Sequence, residues 1–210
     1  MTKIILASAS PRRHELLNLI GIDHIVKPCS EKETKLENNI VDTSDTEKNN
    51  RTIEEKIIQL ATDKALCVAK TLSIDEKKNG IILGADTIVV LNNEIIGKPT
   101  DFNDAVGMLS KLAGKTHFVF TGICLYDFLK DRIHTGVERT RVTMADWNEI
   151  RIRAYIQSEN VMDKAGAYAI QGIGAAMIEK IEGCFYNVMG LPVSRLVKML
   201  DEMGFNYLKK

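Results

Sequence analysis

The run Ile81-Ile82-Leu83-Gly84-Ala85-Asp86-Thr87-Ile88-Val89-Val90-Leu91 constrains the fold more than any other stretch of the chain. Apart from Asp86 and Thr87 it reads as one continuously apolar strand, and a carboxylate in that setting needs a partner, because burying a bare charge is costly. Asp86 is therefore either paired with an Arg or Lys inside the fold, or it serves as a divalent-cation ligand or general base. The run is far shorter than the ~20 apolar residues that span a bilayer, so it is not a transmembrane segment. Asn92-Asn93 suits a tight hairpin turn into Glu94-Ile95-Ile96, which would bring Gly97-Lys98-Pro99 back alongside Asp86.

Strands and helices alternate around this run. Lys3 to Ala7 reads as a strand, followed by Ser10-Pro11 as cap and first helical residue, and then by Leu16, Leu17, Leu19 and Ile20 at helical spacing before Gly21. A short strand is expected from His24 to Pro28. Glu37 to Thr52 has only Ile40 and Val41 as apolar residues and is expected as a polar surface insertion that adds little core. Thr52-Ile53-Glu54-Glu55 reads as a capping box opening a helix over 53–72, with Ile53, Ile57, Ala61, Ala65, Ala69 and Leu72 on one face. Asp101 is expected to cap a helix that stops at Gly114, and Thr116 to Tyr126 should pair with Ile133 to Met144 as a long hairpin. The box Asp146-x-x-Glu149 predicts a helix with Ile150, Ala154 and Tyr155 inward. Two short strands, Ala167 to Gln171 and Ala176 to Ile181, should follow it, and Pro192 should open the last helix. This order implies an α/β fold with a mixed sheet flanked by helices. A single domain over 1–210 is expected, since the one polar tract lies too near the start to divide two cores.

With 28 Lys+Arg against 28 Asp+Glu, no net charge draws the chain to a nucleic-acid backbone or an anionic membrane, so any nucleotide it binds is expected to be small. The apolar start is shorter than a signal peptide and runs straight into Pro11-Arg12-Arg13, as expected of a mature first strand in a cytoplasmic protein. Cys29, Cys67, Cys124 and Cys184 are widely spaced, with no CxxC pair, and read as free thiols in a reducing compartment.

Three segments could carry chemistry. Ser8-Ala9-Ser10-Pro11-Arg12-Arg13 lies between a strand and a helix start, where unpaired N–H groups, two hydroxyls and two guanidiniums would hold a phosphate. The alternative is a capped helix with solvated arginines, but positive charge there opposes the helix dipole unless an anion is bound. Gly84-Ala85-Asp86-Thr87 is the second. Asp163-Lys164-Ala165-Gly166-Ala167-Tyr168-Ala169-Ile170-Gln171-Gly172 gathers small residues around a lysine and an amide, as either a ligand-approaching backbone or a plain turn would. Gly114-Lys115-Thr116 imitates the end of a P-loop, but Leu109 stands where the first glycine is required.

Leu6-Ala7-Ser8-Ala9-Ser10-Pro11-Arg12-Arg13, Gly84 to Val89, Gly97-Lys98-Pro99, Thr121-Gly122, Asp163 to Gly172 and Asn187-Val188-Met189-Gly190-Leu191-Pro192 together resemble the Maf family of nucleoside triphosphate pyrophosphatases. They stand in the family's order from Ile4 to about Leu200. The resemblance implies a strongly twisted sheet with a central cleft, of the kind shared with inosine triphosphatases. It also implies hydrolysis between the α- and β-phosphates, giving a monophosphate and pyrophosphate, with Mg²⁺ or Mn²⁺ and without a covalent nucleophile. Arg12, Arg13, Lys64, Lys98 and Lys164 would supply positive charge, and Ser8 and Ser10 hydrogen-bond donors. Glu33, with Glu31 as the alternative, and Asp86 would hold the metal, Asp86 also orienting or deprotonating the water; Asp86, Lys98 and Glu33 form the expected catalytic set. The Ala-Ile-Gln-Gly form of the late motif resembles the branch acting on dTTP, UTP and modified pyrimidine analogues, in nucleotide-pool housecleaning. The Gln171 amide offers a donor and an acceptor to match O4 and N3–H of uracil or thymine, and Arg12, Arg13 and Thr87 would help set the base. A 7-methyl-GTP pyrophosphatase and a nucleotide-binding regulator of septum formation are the competing implications. A homodimer is the one protein partner the resemblance suggests.

Overall fold

The computed structural model describes residues 3–29, 46–77, 80–206 and 208. In chain order the elements are β1 (Lys3–Leu6), α1 (Pro11–Leu19), β2 (His24–Val26), α2 (Thr46–Thr71), α3 (Ile74–Lys77), β3 (Gly80–Leu91), β4 (Glu94–Ile96), α4 (Phe102–Leu112), β5 (Thr116–Asp127), β6 (Arg132–Met144), α5 (Glu149–Ser158), β7 (Ile178–Glu182), α6 (Phe185–Met189) and α7 (Val193–Glu202). The seven strands form one sheet in the order β2-β1-β3-β5-β6-β7, with β4 paired to β3. β1 runs parallel to β2 and β3, and the other pairings are antiparallel, so the sheet is mixed as expected.

β3 is apolar on both sides because both of its faces are covered. Ile81, Leu83 and Ala85 pack with Leu16 and Leu17 of α1 and Leu196 of α7, whereas Ile82 packs with Ala61, Ala65 and Val68 of α2. On the α2 side two glycines set the distance. A Cβ on Gly84 would stand 2.0 Å from the Ala61 carbonyl oxygen, and one on Gly122 of β5 only 2.4 Å from that of Ile57. No side chain fits there, so α2 lies with its backbone against the sheet, carrying Lys64 down to β3.

The cleft follows from strand pairing. One edge of β3 is occupied by β5 along nearly its whole length. On the other edge β1 covers residues 80–83 and β4 covers 89–91, leaving Gly84 to Ile88 without a strand beside them. β1 stops because the chain turns away at Ser8 into α1, and β4 returns through Asn92 and Asn93, both at positive φ (49° and 67°) as a tight hairpin turn requires. Since successive side chains of a strand point to opposite faces, this gap exposes Asp86 on the α2 side and Thr87 on the α1 side.

Several expectations are corrected. Residues 46–52, placed in the polar insertion, form the first turns of α2, so Thr52 to Glu55 lie inside a helix and not at its start. The remainder of that insertion, 37–45, lies outside the described residues. In α5 the buried stripe is Ile152, Tyr155 and Ile156, while Ile150 is 79% exposed and Ala154 also faces out. The cap is Asn148, which accepts from the Arg151 N–H, and not Asp146. Ala167 to Gln171 is not a strand, because Gly166 and Ala167 sit at φ 72° and 58°, in the left-handed region that no strand tolerates. Short 3₁₀ turns at 165–167 and 172–177 stand there instead, and the following strand is Ile178–Glu182. Cys29 and Cys67 are joined in a disulfide, with Cα atoms 5.8 Å apart, and only Cys124 and Cys184 are free. Cysteine usage therefore no longer argues for a reducing compartment. Among the described residues, no helix is long and apolar enough to cross a membrane.

Candidate active site

A cleft of about 400 Å³ opens at the gap in the β3 edge, and Ser8, Ser10, Arg12, Arg13, Lys64, Asp86, Thr87, Lys98, Lys164 and Gln171 all line it. The structure thus gathers every described residue to which the resemblance gives a binding or catalytic role. Glu33 and Glu31 lie outside the described residues.

The two arginines of the first motif take different places. Arg13 is only 7% exposed and lies beneath the cleft. Its Nε donates to the Gly190 carbonyl at 2.8 Å, Nη1 to Ser8 Oγ at 2.8 Å and Nη2 to Thr87 Oγ1 at 3.0 Å. One rigid fork thereby ties together the loop after β1, the exposed part of β3 and the end of α6. Arg12 stands at the rim, where its Nη1 pairs with Asp163 at 3.2 Å. Lys164 meets the same carboxylate at 2.8 Å and also donates to the Asn160 carbonyl. Burial pushes the Asp163 carboxyl up, but the Lys164 hydrogen bond and the charges of Arg12 and Lys164 outweigh it and hold it below the usual carboxylate range.

The start of α1 lines the cleft. Ser10 occupies the cap position without using its side chain there, Pro11 has no N–H to leave unsatisfied, and no acidic residue lies in the first turn. Ser8 Oγ accepts from the Ser10 N–H at 3.2 Å and from Arg13 at 2.8 Å. With both lone pairs taken, Ser8 has only its proton to offer, which makes it a donor.

Opposite this helix start, Lys64 Nζ lies 2.6 Å from Asp86 Oδ1, with both side chains largely buried. The pair that the sequence left open as a structural possibility is therefore real, and it stands inside the cleft. Lys98 follows β4 on the exposed side of the opening. Gln171 precedes the second 3₁₀ turn without capping it through its amide. That wall is held by Gly166 N–H donating to the Gly97 carbonyl at 2.9 Å and by Ala169 N–H donating to Tyr155 Oη at 3.1 Å.

A family model described as Maf-like protein matches residues 3–203. The chain belongs to the Maf family. Its relatives include a dTTP/UTP pyrophosphatase of Acetivibrio thermocellus, 43% identical over 212 residues with all of both chains covered. Another, from Caldicellulosiruptor bescii, is 40% identical over 209 residues, covering 100% of this chain and 98% of the relative. Among solved structures, the Ham1 protein of Staphylococcus aureus superposes with a TM-score of 0.51 at 12% identity, over 96% of this chain and 100% of that one, a likeness of fold alone.

Other residues of this Maf chain support the cleft without a role having been read for them in the sequence. Thr121 Oγ1 donates to the Asn187 carbonyl at 3.1 Å, and the fully buried Asn187 amide donates to the Val119 carbonyl at 3.0 Å and to Thr140 Oγ1 at 2.9 Å. Thr121 and Asn187 stood within quoted motifs, and a Thr inside an apolar strand was the available signal. The buried His117 places Nε2 2.7 Å from the hydroxyl of Tyr168, which lines the wall. Burial pushes the His117 imidazole down to about 4 and the Tyr168 phenol up.

Proposed function

We propose that this chain hydrolyses dTTP, UTP and modified pyrimidine analogues to the monophosphate and pyrophosphate by attack of water at the α-phosphate, removing such nucleotides from the precursor pool. One observation carries this reading: the gap in the β3 edge puts Asp86, braced by Lys64, in the same cleft as an anion-receiving helix start. The names of the relatives at 40–43% identity point to the same substrates.

Phosphoryl chemistry of this kind is chiefly positioning and charge stabilisation, and it needs no covalent nucleophile. Ser8 donates to a phosphate oxygen, the first amides of α1 add donors, and Arg12, Lys98 and Lys164 balance the negative charge. Asp86 orients the water and accepts its proton, while Lys64 holds the carboxylate in place. Gln171 presents its amide to the edge of the base.

The donor chemistry fits a hard divalent cation. Asp86 supplies a carboxylate oxygen, and Mg²⁺ is usually held by one or two carboxylates together with substrate phosphates, not by a full protein cage. Among the described residues no group of three or more His, Cys, Asp or Glu forms such a cage. Asp86, together with Glu33, would hold Mg²⁺ or Mn²⁺, which supplies charge neutralisation and Lewis acidity when bound.

The test supplies Mg²⁺ or Mn²⁺ with dTTP, UTP, CTP, ATP, GTP and 7-methyl-GTP, and measures pyrophosphate and orthophosphate separately. Pyrophosphate is expected from dTTP and UTP, reduced by at least ~10³-fold in Asp86→Asn with the fold intact. Pyrophosphate mainly from 7-methyl-GTP overturns the base assignment, and no turnover of any triphosphate overturns the enzymatic reading.

A further inference from the structure

Away from the cleft, two histidines meet where α1 hands over to the sheet. His14 lies in α1, and His24 opens β2, which pairs with β1 at one end of the strand order. His14 Nδ1 stands 2.7 Å from His24 Nε2. The two rings are tilted 64° to one another with centroids 4.8 Å apart, so they meet edge-on and are not stacked. Neither residue lines the cleft.

Each ring is held from its far side. The Ile22 carbonyl can only accept, so His24 Nδ1 carries a proton and donates to it at 2.8 Å. In the neutral ring this leaves the Nε2 lone pair facing His14. On the other ring, Nε2 lies 3.1 Å from the Asn18 side-chain amide, one helical turn further along α1. That amide is a donor at one end and an acceptor at the other, so Asn18 serves His14 in either tautomer. With Nδ1 protonated, His14 donates to His24 and accepts from Asn18 Nδ2. With Nε2 protonated, His14 donates to Asn18 Oδ1 once the amide turns over, and the two ring lone pairs then converge on one point. A far-side N–H held by a backbone carbonyl, as in His24, is the usual support of a metal-bound imidazole.

We propose that His14 and His24 form a metal site separate from the cleft, which takes a transition-metal ion of the Zn²⁺ or Ni²⁺ kind and staples α1 to β2. Imidazole suits these ions, whereas the carboxylate of the cleft suits Mg²⁺. Two nitrogens bound at about 2.0–2.1 Å in a tetrahedral site stand roughly 3.3 Å apart. The pair therefore opens slightly from its 2.7 Å contact, by small rotations of two side chains that both reach the surface. Water fills the remaining positions. On binding, His14 gives up the Nδ1 proton to solvent and takes one up at Nε2, so this change of tautomer releases no net proton.

The experiment titrates the full chain, without a histidine tag, with ZnCl₂ alone and with NiCl₂ alone by calorimetry, with Mg²⁺ in large excess to occupy the cleft. A single equivalent of each should bind despite the Mg²⁺, with Ni²⁺ held more tightly than Mn²⁺. Affinity should fall by at least ~10-fold in His14→Ala and in His24→Ala, and by about tenfold in Asn18→Leu, which keeps both ligands but removes the support of one. Zn²⁺ should raise the thermal midpoint of the wild type and leave that of either histidine variant unchanged. His14→Gln and His24→Gln report in place of an alanine variant that does not fold. Wild type that binds neither ion in the presence of Mg²⁺, or an equivalent bound as tightly by both histidine variants, overturns the proposal.

Discussion

Arg12 and Arg13 adjoin in sequence, yet they belong to two different regions of the cleft. The floor, built on Arg13, Thr87, Thr121 and Asn187, is largely buried, and its hydrogen bonds go to neutral partners. The rim, built on Arg12, Asp163 and Lys164, is partly exposed and made of ion pairs. A buried polar group must be matched by fixed geometry, whereas a solvated ion pair contributes little stability and can exchange partners with an incoming anion. The floor accordingly sets shape and polarity, and the rim sets charge.

The largest expected effect breaks the floor while keeping its charge. Arg13→Lys retains a cation but replaces a three-pronged fork with one ammonium, leaving acceptors at Ser8, Thr87 and Gly190 competing for it. Denaturant unfolding should show a loss of about 2–4 kcal/mol. An unchanged midpoint would mean that Arg13 acts as a simple charge, like its neighbour.

A smaller effect comes from His117, buried against Tyr168 of the cleft wall. Its ordinary value of 6.5 falls to about 4 in the fold because burial disfavours the charged ring. Between those values the unfolded chain binds the extra proton. The stabilisation is therefore complete above about pH 6.5 and is lost as pH falls toward about 4, up to about 3 kcal/mol in all. Urea midpoints measured across that window should slope in the wild type and flatten in His117→Asn. Equal slopes would place the acid sensitivity elsewhere.

How much of this division was legible in the sequence depended on whether the signal was local. Ser8 to Arg13, Asp86, Lys98, Lys164 and Gln171 sit in short motifs, and all of them reached the cleft. The floor was not legible, because its bonds join residues far apart: Arg13 with Gly190, Thr121 with Asn187. Which of two adjacent arginines turns inward is decided by carbonyls at the other end of the chain. The same limit applies to Cys29 and Cys67, since spacing does not encode which cysteines meet. In α5, Ile150 with Ala154 and Ile152 with Tyr155 and Ile156 make equally regular helical stripes, and only packing against the sheet and α4 chose the second. At Ala167 the tertiary wall imposes a left-handed backbone that its residue type does not announce.

The smallest stability effect belongs to the rim, and there the division between the two arginines is tested most directly. Arg12→Met should leave the thermal midpoint nearly unchanged, within about 0.5 kcal/mol of the wild type, while raising KM for dTTP about tenfold as one phosphate-facing charge is lost. KM and midpoint measured on the same preparation decide it. A raised KM with an intact midpoint is the predicted result, and a fallen midpoint with an unchanged KM would contradict the separation of floor from rim.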